Sequence, residues 1–553
     1  MGIPSYYKKL IDTIPGLVSK GHPDAPISWL FMDFNCLIYH CLYRKDTPVY
    51  PGEQGKEEWE AQFLDCIQTY CLKVIKEVKP KTGVFIAIDG VVPMAKMKQQ
   101  RLRRFKSVWL SQHAAESAEG PTWDKNSITP GTAFMTKLRI KLQDMIKKYG
   151  KKTWKLSSSD EPGEGEHKIM NQWREGGYDG NFAVYGLDGD LIVLSILGRE
   201  SLSLSNRIWL FREEMSAGKI CYDSMGEEEF EWFSIHLLRD WLCSDYKDAD
   251  ADATATANTA TATSLQRSFI LSYCFAMSVL GNDFLPSSLG LKIRENGHSE
   301  LIDIVKQLVS RQRPLVSSDT LLLSLDGIVS LFTMLYETEE YRITKYISKK
   351  ISMSSHNRSK QEAEAEAEPE IGHQDWPMFH MEEDCLVDSR KQLIPNWQST
   401  YLTHFFPGCQ DQLPDIEHIC QEYLYGIQWI WAYYTGNAGD VCFNWYYSFT
   451  LPPLWQWICT YLQSHDVLPS FPNEVLLYAS DIRPIQQLAL VLPLESWNLL
   501  PPGPEKRLPY IAPHFFPSTF SFDTLGKRSF WECESMIPLP SMHMLQELLR
   551  HSS

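Results

Sequence analysis

Three apolar runs along the chain end in an aspartate: Ile27–Asp33 (ISWLFMD), Gly83–Asp89 (GVFIAID) and Phe182–Asp188 (FAVYGLD). Each reads as a buried strand. Helical patterns separate them, through Leu37–Leu42 and over Glu57–Val78. Strands alternating with helices predict an α/β fold, a mostly parallel sheet covered on both faces. Met1–Leu10 starts a short helix, with Ser5 placed to cap it. A turn at Pro130–Gly131 leads into a helix that runs to about Tyr149, with Thr132 as its cap. Arg207–Phe211 and Phe230–Trp241 supply a strand and an amphipathic helix. Ser268–Leu280 is a buried helix, and Leu301–Leu331 reads as two more. The later chain is unusually aromatic at Tyr423–Tyr434 (YLYGIQWIWAYY) and Phe443–Phe449 (FNWYYSF). Most of these rings are expected in a core. Two segments break the pattern: Tyr246–Ser264, of low complexity, and the charged Ser352–Gln374. Both read as disordered, part of the second as a solvated helix. No internal repeat stands out.

Composition narrows the class. With 553 residues, 44% hydrophobic and 12% aromatic, the chain has material for large cores. Its formal charge of −16 argues against a general nucleic-acid coat but leaves room for a local basic pocket. The thirteen cysteines show no metal-ligand spacing and read as free thiols in a reducing compartment. No signal peptide and no unbroken apolar span is seen, so an intracellular protein is expected, in the cytoplasm rather than the nucleus.

The candidate chemistry centres on Ser157–Asp190. Glu164 and Glu166 follow Pro162, where a helix can begin. Asp188 and Asp190, two apart on an extended backbone, would point the same way. Asp33, Asp89 and Asp188 fall at the carboxyl ends of predicted strands, where open parallel sheets bind their ligands. Asp283 lies in GNDFLP, straight after a buried helix. Clustered carboxylates stay ionised together only around a cation, and hard oxygen ligands suit magnesium or manganese. Glu164 and Glu166 converge only if Gly163 and Gly165 hold a turn or the first residues of a helix.

A basic helix accompanies the acids. Gly90–Ala115 has no acid and six Lys or Arg. Lys96, Gln100, Arg103 and Arg104 share one helical face, a pattern able to hold a phosphate. Lys98 and Arg101 point elsewhere, toward solvent.

As a set, MGIPSYYKKL, MDFN, AIDGVVPMAKMKQQRLRRF, NSITPGTAFM, DEPGEGEHKIM, YGLDGDLIVL and GNDFLP resemble the XRN family of 5′→3′ exoribonucleases, in the family's order. The later half matches in character, through YLYGIQWIWAYYTG, FNWYYSF, PIQQLALVLP and GKRSFWE. The resemblance implies a PIN-like nuclease core related to flap nucleases, and an additional helical, aromatic-rich C-terminal region. It implies two divalent metals, Mg2+ or alternatively Mn2+, on Asp33, Asp89, Glu164, Glu166, Asp188, Asp190 and Asp283. It implies a 5′-monophosphate pocket on Lys96, Gln100, Arg103 and Arg104. Where the family has a base-stacking histidine this chain has Tyr39, with His40 shifted by one, and the partner ring maps to Trp445.

The domains so expected are a nuclease core over 1–245 and 265–351, an insertion at 246–264, a linker at 352–374 and a second region at 375–553 packed on the core. The expected activity is processive 5′→3′ hydrolysis of 5′-monophosphorylated single-stranded RNA by a monomer. A DNA nuclease and an inactive nucleic-acid-binding protein remain open as alternatives.

Overall fold

Alternation within the strands decides how the sheet is covered. In this computed structural model, which describes residues 3, 5–113, 120–186, 188–216, 219–246, 257–364, 376–406, 413–437, 441–470 and 481–550, seven strands form one sheet. In chain order they are β1 (Val18–Ser19), β2 (Ile27–Asp33), β3 (Gly83–Ala87), β4 (Lys155–Ser157), β5 (Asn181–Tyr185), β6 (Ile208–Glu213) and β7 (Phe230–Ser234). Across the sheet they run β1-β7-β6-β5-β2-β3-β4. The five from β6 to β4 are parallel, and β7 and β1 add an antiparallel edge. Phe31 lies opposite both Phe85 and Val184, so the three strands that end in or near an acid are neighbours in register.

The helices of the first half are α1 (Tyr6–Thr13), α2 (Phe34–Leu42), α3 (Lys56–Val78), α4 (Met94–His113), α5 (Ala133–Tyr149), α6 (Gly165–Glu175), α7 (Asp190–Ser201) and α8 (Ile235–Leu242). Phe31, Phe85, Val184 and Leu210 face a core shared with α6 and α7. Their alternate neighbours Leu30, Ile86, Ala183 and Phe211 face α2, α3 and α5. Burial on both faces is why these strands read as continuous apolar runs.

Several expectations change. The first half of Phe230–Trp241 is β7 rather than helix, because FEWFS pairs with β6 as an antiparallel edge. Ser5 precedes α1 but makes no side-chain cap, and its hydroxyl instead accepts from Arg294. Thr132 does cap α5, its Oγ1 accepting from the Met135 amide. The first low-complexity segment is partly helical, since Ala257–Ala276 begins inside it; Glu339–Glu364 runs into the second, where a partial helix is expected. Residues 247–256 and 365–375 lie outside the described residues.

The second region grips the core through α4. Met94 and Met97 pack with Leu488, Leu490 and Phe516. The Met94 amide donates to the Phe443 carbonyl and the Val92 amide to Gln487, so the orphan donors at the helix start find partners far along the chain. Among the described residues, no helix is long and apolar enough to cross a membrane, and twelve cysteines are thiols outside any disulfide.

Candidate metal centre and phosphate face

The carboxyl edge of the sheet positions the acids. Asp33 is the last residue of β2 and only 7% exposed. Asp89 follows β3 and accepts from the Gly165 amide at 2.8 Å, at the start of α6, and from Asn35 Nδ2 at 2.9 Å. Glu164 is the residue before α6, and Glu166 lies in its first turn. Gly163, at φ +107°, allows the turn that brings them there. Gly165 is needed for another reason: a Cβ would stand 2.4 Å from Asp33 Oδ1. The expected use of both glycines therefore holds.

The extended pairing of Asp188 with Asp190 does not. Gly189 is right-handed helical and Asp190 opens α7, so the two carboxylates leave the backbone in different settings. They still share a site. Asp33, Asp89, Glu164, Glu166, Asp188 and Asp283 line one cavity of about 900 Å³, and Asp190 is buried beside them.

Ligand atoms of Asp33, Asp89 and Glu166 lie within 4.8 Å of one another, as do those of Glu164, Glu166 and His167. Glu166 belongs to both groups. Oxygen ligands at this spacing fit a hard divalent cation. Electrostatics agree. Burial, and then the charges of Asp89, Asp188 and Asp190, push the Asp33 carboxyl well above the usual range. Burial and Glu164 do the same to Glu166. Burial and Asp188 raise Asp190 to about 7. Acids so raised call for positive charge. Lys96 supplies one unit: its Nζ lies 2.6 Å from Glu164 and 2.8 Å from Asp283. Burial alone would lower the Lys96 pKa, but those two carboxylates hold it well above its ordinary value.

The other half of the cavity is one face of α4. Gln100, Arg103 and Arg104 line it with Lys96, as the helical spacing predicts. Arg104 is 7% exposed, and its Nη1 has no hydrogen-bond partner among the described residues. Burial lowers its pKa to about 10, so the group remains cationic at neutral pH. A buried guanidinium with an unused donor suits an anion. Lys96 instead leans into the acids.

Lys98 and Arg101 are not solvated. Lys98 Nζ donates to the Tyr447 carbonyl at 2.8 Å. Arg101 is fully buried and donates to the carbonyls of Leu490, at 2.6 Å, and Phe515. The second region covers this face of the helix and offers main-chain oxygens to it.

The stacking residues divide. Tyr39 lines the cavity. His40 borders it, but the imidazole is buried against Tyr70, ring centroids 4.6 Å apart, with Nε2 3.6 Å from Glu228. Trp445 is 6% exposed and packs against Tyr425 and Trp429, away from the cavity lining. The rings that do border the cavity with Tyr39 are Tyr43 and Tyr222.

Some site residues escaped sequence reasoning. Tyr433 donates its hydroxyl to Glu164 at 2.8 Å, and its ring covers His167 at 3.7 Å between centroids. Burial keeps the His167 imidazole neutral, its pKa well below the usual value. Gln487 reaches Gln100 at 3.4 Å. Asn35, two residues after Asp33 in MDFN, had a local signal; Tyr433 and Gln487 had none.

Parallel strands with carboxylates gathered at their carboxyl ends define a PIN-like α/β protein with a candidate metal centre. Comparison with known sequences gives its relatives. Residues 1–214 match the profile described as XRN 5'-3' exonuclease N-terminus. The chain is 25% identical to 5'-3' exoribonuclease 1 of Homo sapiens, over 99% of this chain and 34% of that protein. It is 24% identical to 5'-3' exoribonuclease 1 of Schizosaccharomyces pombe, over 97% of this chain and 47% of the relative. With 5'-3' exoribonuclease 1 of Saccharomyces cerevisiae the identity is 30%, over 56% of this chain and 21% of the relative. The chain is thus similar to members of the XRN family through its N-terminal region and beyond, and it spans less than half the length of these relatives.

Proposed function

We propose that this protein is a 5′→3′ exoribonuclease that hydrolyses 5′-monophosphorylated single-stranded RNA. The observation that carries the reading is one cavity in which six of the seven expected acids face a buried guanidinium with an unused donor. The family and the names of its relatives support the same reaction.

Asp33, Asp89, Glu164, Glu166, Asp188, Asp190 and Asp283 would hold the divalent ions, two of Mg2+ or Mn2+. Bound there, such ions supply a water of lowered pKa and neutralise charge on the leaving 3′ oxygen. The protein's own groups do the rest. Arg104, Arg103 and Gln100 bind the terminal phosphate and fix the strand's end. Gln487 orients Gln100, and Tyr433 orients Glu164. Lys96 draws Glu164 and Asp283 together. Tyr39, on the cavity wall, offers a face for the first base.

The test compares RNA bearing a 5′-phosphate, a 5′-hydroxyl or a cap, with and without magnesium. Stepwise release of 5′-mononucleotides from the phosphorylated strand alone, and only with the metal, is expected. Equal cleavage of all three ends would remove the phosphate reading. Binding without turnover would remove the enzyme.

A further inference from the structure

A second cavity, of about 570 Å³, shares Asp283 and Arg103 with the acid-lined one and reaches Gly189, the residue before Asp190. Lys98, Lys292 and Lys527 line it as well. Among the described residues these four cations form no ion pair. Lys98 has a main-chain carbonyl, and Lys292 has the Ser287 hydroxyl at 3.3 Å. The carboxylates along the same wall are mostly taken. Asp283 pairs with Lys96, Glu295 with Lys349 and Arg528, and Glu532 with Arg294. The exposed Glu534 is left to face them.

The lysines also oppose one another. Burial, with the charge of Lys527 next, lowers the Lys292 pKa to about 7. A chain with 69 acids and 53 bases has carboxylates to spare, yet Asp523 and Glu534, whose charges reach Lys527, form no ion pair with these lysines among the described residues. Cations held together away from water are relieved by an anion.

The position of the cavity selects the anion. It meets the metal centre at Asp283 and Gly189, Arg103 borders both cavities, and Tyr39 lines only the acid-lined one. Trp531, 50% exposed, stands on its wall with the Arg294 guanidinium carbon 5.2 Å from its ring centroid. A free phosphate has no use for an exposed indole, whereas a strand presents charge and bases together. We propose that this cavity holds the phosphates of the nucleotides 3′ to the scissile bond. The strand then runs from Lys292 and Lys527, past the carboxylates, to a terminal phosphate on Gln100, Arg103 and Arg104. The proposal rests on the nuclease reading above and adds the substrate's path and direction to it.

The full chain tests it. In a Lys292→Gln/Lys527→Gln double variant, kcat/KM is compared for a 5′-phosphorylated oligoribonucleotide and for a dinucleotide. The oligonucleotide-to-dinucleotide ratio should fall about tenfold. The salt dependence for the oligonucleotide should flatten by about 1.4, roughly 0.7 for each phosphate that is no longer neutralised. A Lys292→Arg/Lys527→Arg variant should keep the ratio. An unchanged ratio in the glutamine variant would overturn the proposal. Independently of folding in any variant, thiouridine placed just 3′ of the scissile bond should photocrosslink the unaltered protein within Gly526–Glu534. Crosslinks confined to Tyr39–Lys45 would overturn it too. Absence of any cleavage would defeat the nuclease reading, while the crosslinks would still decide the occupant of this cavity.

Discussion

Six of the seven acids and α4 face each other across one cavity, yet the two sides are held by different parts of the chain. Asp33, Asp89 and Asp188 stand at the carboxyl ends of neighbouring strands and Glu164, Glu166 and Asp190 at the starts of α6 and α7, tied by contacts within the first half of the chain such as Gly165 to Asp89. The basic helix hangs from residues 349 to 437 positions further on, through Lys98 to Tyr447 and Arg101 to Pro538. The acid side takes a contact from the later region, Tyr433 on Glu164, whereas the basic side takes several of its anchors from there. The difference separates two functions that a cavity of this kind combines, cation binding and recognition of the strand's end.

Variants can break one side without the other. The largest effect is expected from Asp188→Ala with Asp190→Ala, which should cost about three orders of magnitude or more in kcat while thermal unfolding stays cooperative. Full activity in the purified variant would remove the acids from the reaction. Next, Arg101→Met strips donors from buried carbonyls and should destabilise the clamp by about 3 kcal/mol, read as a lower urea midpoint and faster proteolysis of the second region. Loss of stability with the same preference for 5′-phosphate over 5′-hydroxyl would show that the clamp does not set the basic face.

The acid side also has a pH signature. Burial and the charge of Asp188 push the Asp190 carboxyl up to about 7, against an ordinary value of 3.8. Between those values the folded state binds the extra proton, so stability should fall as pH rises through this window. The loss is on the order of a few kcal/mol, since each tenfold difference in proton affinity between the folded and unfolded chain is worth about 1.4 kcal/mol. In chelator, melting curves from pH 4 to pH 8 should show this slope in the unaltered chain but a flatter one in Asp190→Asn. Identical slopes would contradict it. The smallest effect is Gly165→Val. The new Cβ would meet Asp33 at 2.4 Å and push it aside, so Mn2+ affinity by calorimetry should drop about tenfold, equivalent to about 1.4 kcal/mol, with a lesser effect on folding. Unchanged affinity would count against the shared geometry of Asp33 and α6.

The same division explains what the sequence made legible. Strands buried on both faces announce themselves as apolar runs, and acids at their ends inherit a position from the sheet. Helical spacing likewise placed Lys96, Gln100, Arg103 and Arg104 on one face. It gave no information about the opposite face, where Lys98 and Arg101 look like solvated cations until a distant segment brings carbonyls to them. Trp445 failed for a related reason. In an aromatic-rich helical region, which ring is buried and which borders the cavity depends on packing, and Gly426 leaves room for Trp445 to sink inward. The Asp188–Asp190 geometry was lost to a single backbone choice, Gly189 turning helical rather than extended.

The hydroxyl of Tyr433 on Glu164 has a consequence for biosynthesis. A polypeptide leaving the ribosome from its N-terminus displays every acid once Asp283 has emerged. It then still lacks Tyr433, Gln487 and the carbonyls that set α4. The sheet and its acids can therefore assemble before the contacts that complete the proposed site, which wait until Gln487 has been made.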